Sequence, residues 1–293
     1  MSYEKKGSAV ALGTFDGIHR GHRAVLKAAI ASGHRPVAVT FSAPPKGSPC
    51  ILTVSDKLSY LKEMGFEEVL IFEFEEIRDM PPAEFLNMLK ARLSPKMFCC
   101  GFNYRFGKNA EGDTAALSDY CLKNGIELRV SQPVTEGGRI VSSTAVREMI
   151  TSGEIEKANR LLYKPFGFSA AVSSGDHRGR LLGFPTVNQR PPEGIVLPRF
   201  GVYAARVLLD GVSFGAVTNF GIRPTYEVKS PLAETYIFGA EGNFYQKNIR
   251  VSFLKFLRPE RKFSSPEELT AAIDNDKKSA EEVLKNREIW GID

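Results

Sequence analysis

The chain has 293 residues, more than one typical hydrophobic core holds, so we expect two domains. Its composition, with 43% hydrophobic and 25% charged residues, is that of a globular protein, and a net charge of +5 is too small to indicate a nucleic-acid partner. No apolar run is long enough to span a membrane, and no signal-peptide core follows the polar N-terminal residues, so we expect a cytoplasmic protein without a membrane partner.

Strand-like and helix-like runs alternate through the first half of the chain. Apolar runs typical of strands lie at 9–12, 37–41, 69–72 and 97–100. Helical patterns lie at 22–30, 55–64, 83–93 and 114–124. Glycines stand where three of these helices should end, at Gly33, Gly65 and Gly125. This alternation predicts a parallel sheet with helices on both faces.

The pattern changes in the second half. Residues 144–163 are predicted to be helical, with a break at Gly153. Short strands follow at 168–172, 201–209, 214–219, 234–238 and 249–257. Gly and Pro clusters separate them, which is typical of a small antiparallel barrel or sandwich. A last helix is predicted from Pro266 to about Trp290, and we place the domain boundary near Tyr163, giving domains at 1–163 and 164–293.

A glycine-rich segment joins the first strand to the first helix, Gly13-Thr14-Phe15-Asp16-Gly17-Ile18-His19-Arg20-Gly21-His22. The free N–H groups and positive dipole end of a helix N-terminus favour phosphate, and His19 and His22 add donors. The segment therefore predicts a site for a nucleotide triphosphate. A zinc half-site and a pair of solvated histidines are the alternatives. Zinc would need further ligands, and the other histidines and the four cysteines show no such grouping, so we expect the cysteines to be reduced thiols.

Two further segments follow strands of the predicted sheet. Residues 101–107 come after the fourth strand, and ligands of open α/β sheets bind beyond the carboxyl ends of strands. Asn103 both donates and accepts hydrogen bonds, which suits the edge of a heterocycle. Residues 141–147 open the next helix, with Ser143 or Thr144 as its predicted N-cap. Arg147 lies within one turn, where it could clamp a phosphate; a capped helix with a solvated arginine is the alternative.

Residues 175–188 form the second dense segment. Thr186 and Asn188 are two residues apart in a predicted strand, so their oxygens share one face and suit Mg²⁺. Gly175, Gly179 and Gly183 permit close approach of a phosphate to the backbone. For the glycines alone, a turn-rich corner of a barrel is the better explanation.

These segments resemble one known family. The first is similar to the motif Gly-x-Phe-Asp-Gly-x-His-x-Gly-His of bacterial riboflavin kinase/FAD synthetases, within the His-x-Gly-His nucleotidyltransferase superfamily. Residues 179–188 resemble the riboflavin kinase signature Gly-Arg-x-Leu-Gly-Phe-Pro-Thr-x-Asn, and further matches lie at 201–203, 219–225 and 257–263. The resemblance covers nearly the whole chain. It implies a Rossmann-like nucleotidyltransferase domain followed by a small antiparallel Greek-key β-barrel.

The resemblance implies two reactions. The second domain would phosphorylate riboflavin to FMN, and the first would join FMN to the α-phosphate of a second ATP, giving FAD and pyrophosphate. Both reactions would use ATP and Mg²⁺. Riboflavin, FMN and ATP are therefore the expected ligands, and protein partners are left undefined.

The family's functional residues map onto the matching positions of the first domain. His19 and His22 would hold the triphosphate and stabilise charge on the leaving pyrophosphate, and Asn103, Arg105 and Phe106 would bind the flavin. ATP and its phosphates would be bound at Gly13, Phe15, Asp16, Gly17, Gly21, Ser142, Ser143, Thr144 and Arg147.

The same mapping gives the site of the second domain. Glu234 would take the proton of the riboflavin 5′-hydroxyl. Thr186 and Asn188 would bind the metal. Phosphate would be bound at Gly175, Arg180 and Gly183.

Four positions depart from the family pattern. Pro44 stands where the family's Phe-x-Pro-His-Pro segment carries histidine, with Ala43 in place of the proline before it. Tyr236 replaces the histidine of a Glu-Thr-His segment, and Asn103 takes a position that is often Asp, a milder change. The first departure motivates an alternative function, a riboflavin kinase with a weak or inactive adenylyltransferase domain. A flavin-binding or nucleotide-binding regulator without turnover is another, disfavoured because the catalytic positions are retained together. A tRNA-handling synthetase relative is the last, and it shares only the His-x-Gly-His element.

Overall fold

The structure is a computed structural model that describes residues 7–45, 47–173, 184–224, 229–240 and 242–285. The chain divides into two compact units, Met1–Ser143 and Thr144–Asp293. In this division, residues 144–163 lie with the second unit, whereas the sequence placed them in the first domain. The boundary between the two functional domains therefore stays a prediction.

The first unit is built on a parallel sheet. Its strands are β1 (Ser8–Leu12), β2 (Arg35–Phe41), β3 (Glu68–Phe72), β4 (Pro95–Gly101) and β5 (Glu127–Ser131). Their order is β3-β2-β1-β4-β5, so β1 is central, and it is buried at every position. Burial on both faces explains why β1 is a continuous apolar run rather than an alternating one. The four strands predicted with bounds are all present.

Helices connect these strands. They are α1 (Arg20–Ile30), α2 (Val54–Glu63), α3 (Phe74–Ile77), α4 (Pro82–Leu93) and α5 (Thr114–Asn124). Gly125 has φ 63° and caps α5, as predicted, because glycine adopts the left-handed conformation that ends many helices. The short α3 and a two-stranded hairpin, β6 (Thr135–Glu136) with β7 (Arg139–Ile140), were not predicted.

The second unit contains a closed antiparallel barrel. Its strands are β8 (Gly167–Ser173), β9 (Thr186–Gln189), β10 (Gly201–Leu209), β11 (Val212–Pro224), β12 (Lys229–Ile237) and β13 (Asn248–Arg258). The order around the barrel is β10-β11-β12-β9-β8-β13, and β13 pairs again with β10. The neighbours β13-β10-β11-β12 form a Greek key. The rings of Tyr203 and Phe220 pack edge-on against Phe253 in the core, at centroid distances of 5.1 and 5.8 Å.

Three helices complete the second unit within the described residues. The predicted helix at 144–163 is observed as α6 (Ser143–Ser152) and α7 (Ile155–Leu161), separated at Gly153, where φ is 85°. The last is α8 (Pro266–Lys285), and the end predicted near Trp290 lies outside the described residues. Arg258 fixes α8 to the barrel by donating to both carboxylate oxygens of the buried Asp276. No described helix has the length and apolarity to cross a membrane.

Asn159 joins α7 to the barrel. Its Nδ2 donates to the carbonyl of Phe253, at 2.9 Å, and its Oδ1 accepts from the N–H of Phe166, at 2.8 Å. Asn159 is buried, so both main-chain groups have a partner that water could not easily replace. This contact explains why α7 groups with the barrel rather than with the parallel sheet.

We expect Asn159→Ala to lower the free energy of unfolding of the second unit by about 2–4 kcal/mol, because it leaves two buried main-chain groups without partners. Asn275→Ala is the matched control, since Asn275 is exposed in α8. Urea unfolding followed by circular dichroism measures both. Equal stability of the two variants would contradict the role of Asn159.

Candidate active sites

The segment between β1 and α1 is a buried turn with strained backbone. Phe15, Gly17 and Ile18 have φ values of 47°, 86° and 44°. Glycine adopts such values readily, but each non-glycine residue held there costs roughly 1–3 kcal/mol, and a β-branched residue is an outlier. Phe15 and Ile18 are fully buried. The surrounding contacts must therefore hold the turn in this conformation.

Asp16 supplies several of those contacts. Its buried Oδ1 accepts from the N–H groups of Ile51 and Leu52, at 2.8 and 3.2 Å. Its main-chain carbonyl accepts from Ser143 Oγ, at 2.9 Å. Asp16 and Ser143 are expected to contact ATP, and in the structure these groups also fix the turn.

His19 and His22 form a stacked pair at the start of α1. Their ring centroids are 3.7 Å apart and the planes differ by 16°. His19 is the N-cap, and its Nδ1 accepts from the N–H of His22 at 3.3 Å. This bond assigns the proton of a neutral His19 to Nε2. The helix begins at Arg20, so the prediction that it begins at His22 was wrong by two residues.

Gly21 makes this stacking possible. A Cβ at this position would lie 3.2 Å from the His19 ring and 3.6 Å from the carbonyl of Val141. The glycine of the His-x-Gly-His motif therefore leaves room for His19 to fold back over its own helix. Among the described residues, no three His, Cys, Asp or Glu side chains are grouped to hold a metal, so the zinc alternative gains no ligands there.

The segment after β4 offers polar groups beside this turn. Since β1 and β4 are neighbouring parallel strands, both segments leave the same edge of the sheet. Asn103 and Arg105 are exposed, and Arg105 lies 3.5 Å from the Asp113 carboxylate. Phe106 is instead buried against Phe85 and Tyr104, so it supports the segment from the core.

Residues 142–147 lie at the division between the two units. Because α6 begins at Ser143, Ser143 and Thr144 lie in its first turn, and the prediction that either is the N-cap was wrong. Ser142 and Ser143 close the first unit, and Thr144 and Arg147 belong to the second. Thr144 is exposed, and Ser142 and Arg147 are half-buried.

In the barrel, strand pairing brings together three polar residues that are distant in sequence. Glu234 on β12 pairs with Asn188 on β9 and with Asn219 on β11. Directly paired residues of antiparallel strands point to the same face, so Asn188, Glu234 and Asn219 form one polar row. Thr186 is paired with Tyr236 one step along the same face. The sequence indicated Thr186, Asn188 and Glu234, but gave Asn219 no role, because no local pattern reveals strand pairing.

The Asn188 side chain fits a cation. The residue is 6% exposed, and its Oδ1 is buried with no hydrogen-bond partner among the described residues. Leaving a buried amide oxygen unsatisfied costs about 1–3 kcal/mol, and a hard cation such as Mg²⁺ binds oxygen ligands of this kind. Three expected phosphate-binding positions, Gly175, Arg180 and Gly183, lie outside the described residues.

Two more residues adjoin the polar row. Glu260 Oε1 accepts from Asn219 Nδ2 at 3.4 Å, and a Cβ at Gly221 would lie 2.0 Å from the same oxygen. Tyr236 packs edge-on against Phe184 and Phe238, at 5.4 and 5.7 Å. The residue that replaces the family's histidine is thus part of an aromatic cluster.

Three of the four cysteines are buried and poorly suited to act as nucleophiles. Cys99, Cys100 and Cys121 are buried, and desolvation raises the pKa of Cys99 to about 12 and that of Cys121 to about 11. These groups stay protonated thiols at neutral pH. All four cysteines are free in the structure, and Cys50 is half-buried.

An imidazole pair at a helix N-terminus is suited to binding phosphate. A barrel face with a carboxylate between two amides is suited to activating a hydroxyl. These two sites place the chain in the class of nucleotide-dependent transferases. The FAD synthetase family model matches residues 1–145, and the riboflavin kinase model matches residues 162–284. A bifunctional riboflavin kinase/FMN adenylyltransferase of Escherichia coli K12 is 34% identical over 96% of this chain and 94% of its own length. The chain belongs to the bifunctional riboflavin kinase/FMN adenylyltransferase family, which confirms the resemblance.

Other relatives also match this chain over nearly its whole length. The Bacillus subtilis protein of the same description is 29% identical over 97% of this chain and 94% of its own length. A solved structure from Streptococcus pneumoniae, described as a macrolide-efflux protein, superposes with a TM-score of 0.85 at 26% identity, covering 95% of this chain and 96% of that one. The expected α/β domain and Greek-key barrel are confirmed.

We expect Gly21→Ala to slow FMN-to-FAD conversion by about 10-fold or more, because small misplacements of catalytic groups cost rate steeply. The added Cβ must displace the His19 ring by a few tenths of an ångström. Alanine is favoured over glycine in a helix by about 1 kcal/mol, so unfolding is not the expected cause. The riboflavin-to-FMN rate of the same sample is the control, and an unchanged FAD rate would contradict the role of the stacked pair.

Proposed function

We propose that this chain phosphorylates riboflavin to FMN with ATP and adenylylates FMN to FAD with a second ATP, releasing pyrophosphate. The observation that carries the proposal is that both family models match this one chain in succession, each over a unit that contains its own polar cluster. The FAD synthetase match runs through Pro44, so it gives no support to the alternative of a kinase with an inactive first domain.

In the adenylyl transfer, an oxygen of the FMN phosphate attacks the α-phosphorus of ATP. The bond from that phosphorus to the bridging oxygen breaks, and pyrophosphate leaves with the electron pair. His19 Nε2–H, His22 and the free N–H groups of α1 are the donors that stabilise the leaving charge. Ser142, Thr144 and Arg147 hold the phosphates, and Gly13, Gly17 and Gly21 let them approach. Asn103 and Arg105 orient the flavin, with Phe106 behind them.

In the kinase reaction, Glu234 accepts the proton of the riboflavin 5′-hydroxyl as its oxygen attacks the γ-phosphorus of ATP. The bond to the β–γ bridging oxygen breaks and ADP leaves. Asn188 and Thr186 are the residues that would hold Mg²⁺, which when bound neutralises charge on the phosphates. Gly175, Arg180 and Gly183 are the proposed phosphate contacts. Asn219 is paired with Glu234 across the strands, and its amide donates to Glu260.

We assign both reactions to the cytoplasm, where ATP is supplied and thiols stay reduced, in keeping with the free cysteines. The direct test is to incubate the purified protein with riboflavin and ATP, with Mg²⁺ or with a chelator, and to separate the flavins by chromatography. FMN followed by FAD is expected, in the Mg²⁺ sample only. FMN alone would favour the kinase-only alternative, and unchanged riboflavin would overturn the proposal.

We expect Glu234→Gln to lower riboflavin kinase turnover by about 10²–10⁴-fold with little change in riboflavin affinity, since the amide keeps the size of the side chain but cannot act as a base. Steady-state kinetics and fluorescence titration with riboflavin measure the two quantities. FMN-to-FAD conversion by the same variant is the control. Near-normal kinase turnover would show that Glu234 is a solvated strand residue.

We expect His22→Ala to lower FMN-to-FAD conversion by about 10²–10³-fold, the usual effect of removing one preorganised charge-stabilising group. The riboflavin kinase rate should stay within twofold of the parent, since its residues lie in the other unit. Circular dichroism checks that the variant is folded. Parental FAD formation by the variant would mean that the stacked pair has no catalytic role.

A further inference from the structure

Lys57 in α2 is a buried cation. It is 2% exposed, and desolvation lowers the pKa of its ammonium. Its Nζ donates to the carbonyl of Phe41 at 2.6 Å and to the carbonyl of Thr14 at 3.1 Å. Its hydrogen-bond partners in the described chain are thus main-chain oxygens rather than carboxylates. Asp16 and Cys50 are the titratable groups whose charges act on it.

The two carbonyls lie at one edge of the parallel sheet, one in the turn after β1 and the other at the end of β2. Thr14 immediately precedes the strained residues Phe15 to Ile18, and Phe41 ends β2. Thr40 Oγ1 also donates to the Thr14 carbonyl, at 2.7 Å, so this oxygen receives two side-chain donors. One ammonium therefore ties the phosphate-binding turn to the end of the neighbouring strand.

A buried ammonium is expensive where an apolar side chain would fill the same space. Desolvating a charge costs several kcal/mol, and neutral carbonyls repay less of that cost than a carboxylate would. A lysine at this position is therefore a poor choice for stability alone. Its hydrogen bonds instead hold the main chain next to the strained residues of the turn, where the backbone conformation matters more than stability.

We propose that Lys57 is a positioning residue for adenylyl transfer: by holding the carbonyls of Thr14 and Phe41, it keeps the turn in the conformation that presents His19 and His22. The proposal rests on the proposed function of the first unit, and adds a residue that no motif of the sequence indicates. Asp16 fixes the far side of the turn through Ile51 and Leu52. Lys57 fixes its beginning.

The first test compares Lys57→Met with Lys62→Met. Methionine has a similar length but cannot donate, and Lys62 is exposed on the same helix, so the second variant is the matched control. Lys57→Met should lower kcat for FMN-to-FAD conversion by about 10-fold or more, at a temperature where circular dichroism shows both variants folded. The riboflavin kinase rate of the same samples and both rates of Lys62→Met should stay within twofold of the parent.

A double-mutant cycle with His22→Ala distinguishes a positioning role of Lys57 from an effect on the stability of the protein. If Lys57 acts through the histidine pair, the loss in the double variant should be smaller than the product of the two single losses, because His22→Ala has already removed part of what Lys57 positions. Losses that multiply would overturn the proposal, and so would a parental kcat for Lys57→Met. If Lys57→Met does not fold, Lys57→Gln replaces it in the same assays, since its shorter neutral amide removes the charge and the reach of the ammonium, and a parental kcat would then be the overturning result.

A measurement that does not depend on activity tests the positioning role of Lys57 separately from the proposed function. The chain has four histidines, so the imidazole C–H signals can be followed by NMR in the ligand-free protein. Lys57→Met should move the signals of His19 and His22 and leave that of His34 in place, whereas Lys62→Met should move none. Unmoved His19 and His22 signals would overturn the positioning role. Moved signals in a protein that makes no FAD would contradict the proposed function alone.

Discussion

The site of the first unit depends on the buried carboxylate of Asp16. One of its oxygens accepts hydrogen bonds from the N–H groups of Ile51 and Leu52, which lie in a loop more than thirty residues further along the chain. Without these bonds, the left-handed backbone at Phe15 and Ile18 would relax toward ordinary turn conformations. The turn would then no longer deliver the chain into α1 with His19 as the cap. A single buried acceptor thereby links a distant loop to the geometry of the proposed phosphate site.

The barrel site depends on a different constraint, the register of paired strands. The residues of the polar row, Asn188, Glu234 and Asn219, have no unusual backbone conformation and lie in regular strands. On the opposite faces of the same strands, Thr218 and Thr235 are buried and their hydroxyls lie 2.9 Å apart. A slip of one residue would exchange the two faces, so core packing enforces the register and thereby the site. In the first site, buried polar contacts hold a strained turn, and in the second, regular strand pairing holds the polar row.

Two of the departures from the family pattern, Tyr236 and Pro44, have different surroundings. Tyr236 replaces a histidine, and its ring packs with Phe184 and Phe238 on the face of the barrel that carries the polar row. The carboxylate of Glu234, two residues earlier, keeps both amide neighbours in the row. Pro44 lies in the loop after β2, a strand whose last carbonyl is held by Lys57. The main chain is therefore held at Phe41, three residues before Pro44.

The sequence by itself determined the alternation of strands and helices in the first unit, the change to short strands after it, and the position of the His-x-Gly-His segment. These are local properties, since periodicity, glycine placement and motif spacing are written in neighbouring residues. It misplaced the start of α1, because the cap of that helix is a histidine rather than a usual capping residue. Only the tertiary structure decided that Asp16 and Ser143 hold the turn, that Lys57 reaches its backbone, and that Asn219 joins Asn188 beside Glu234. Those contacts join residues far apart in the chain, and no local pattern encodes which strands pair or which loops meet.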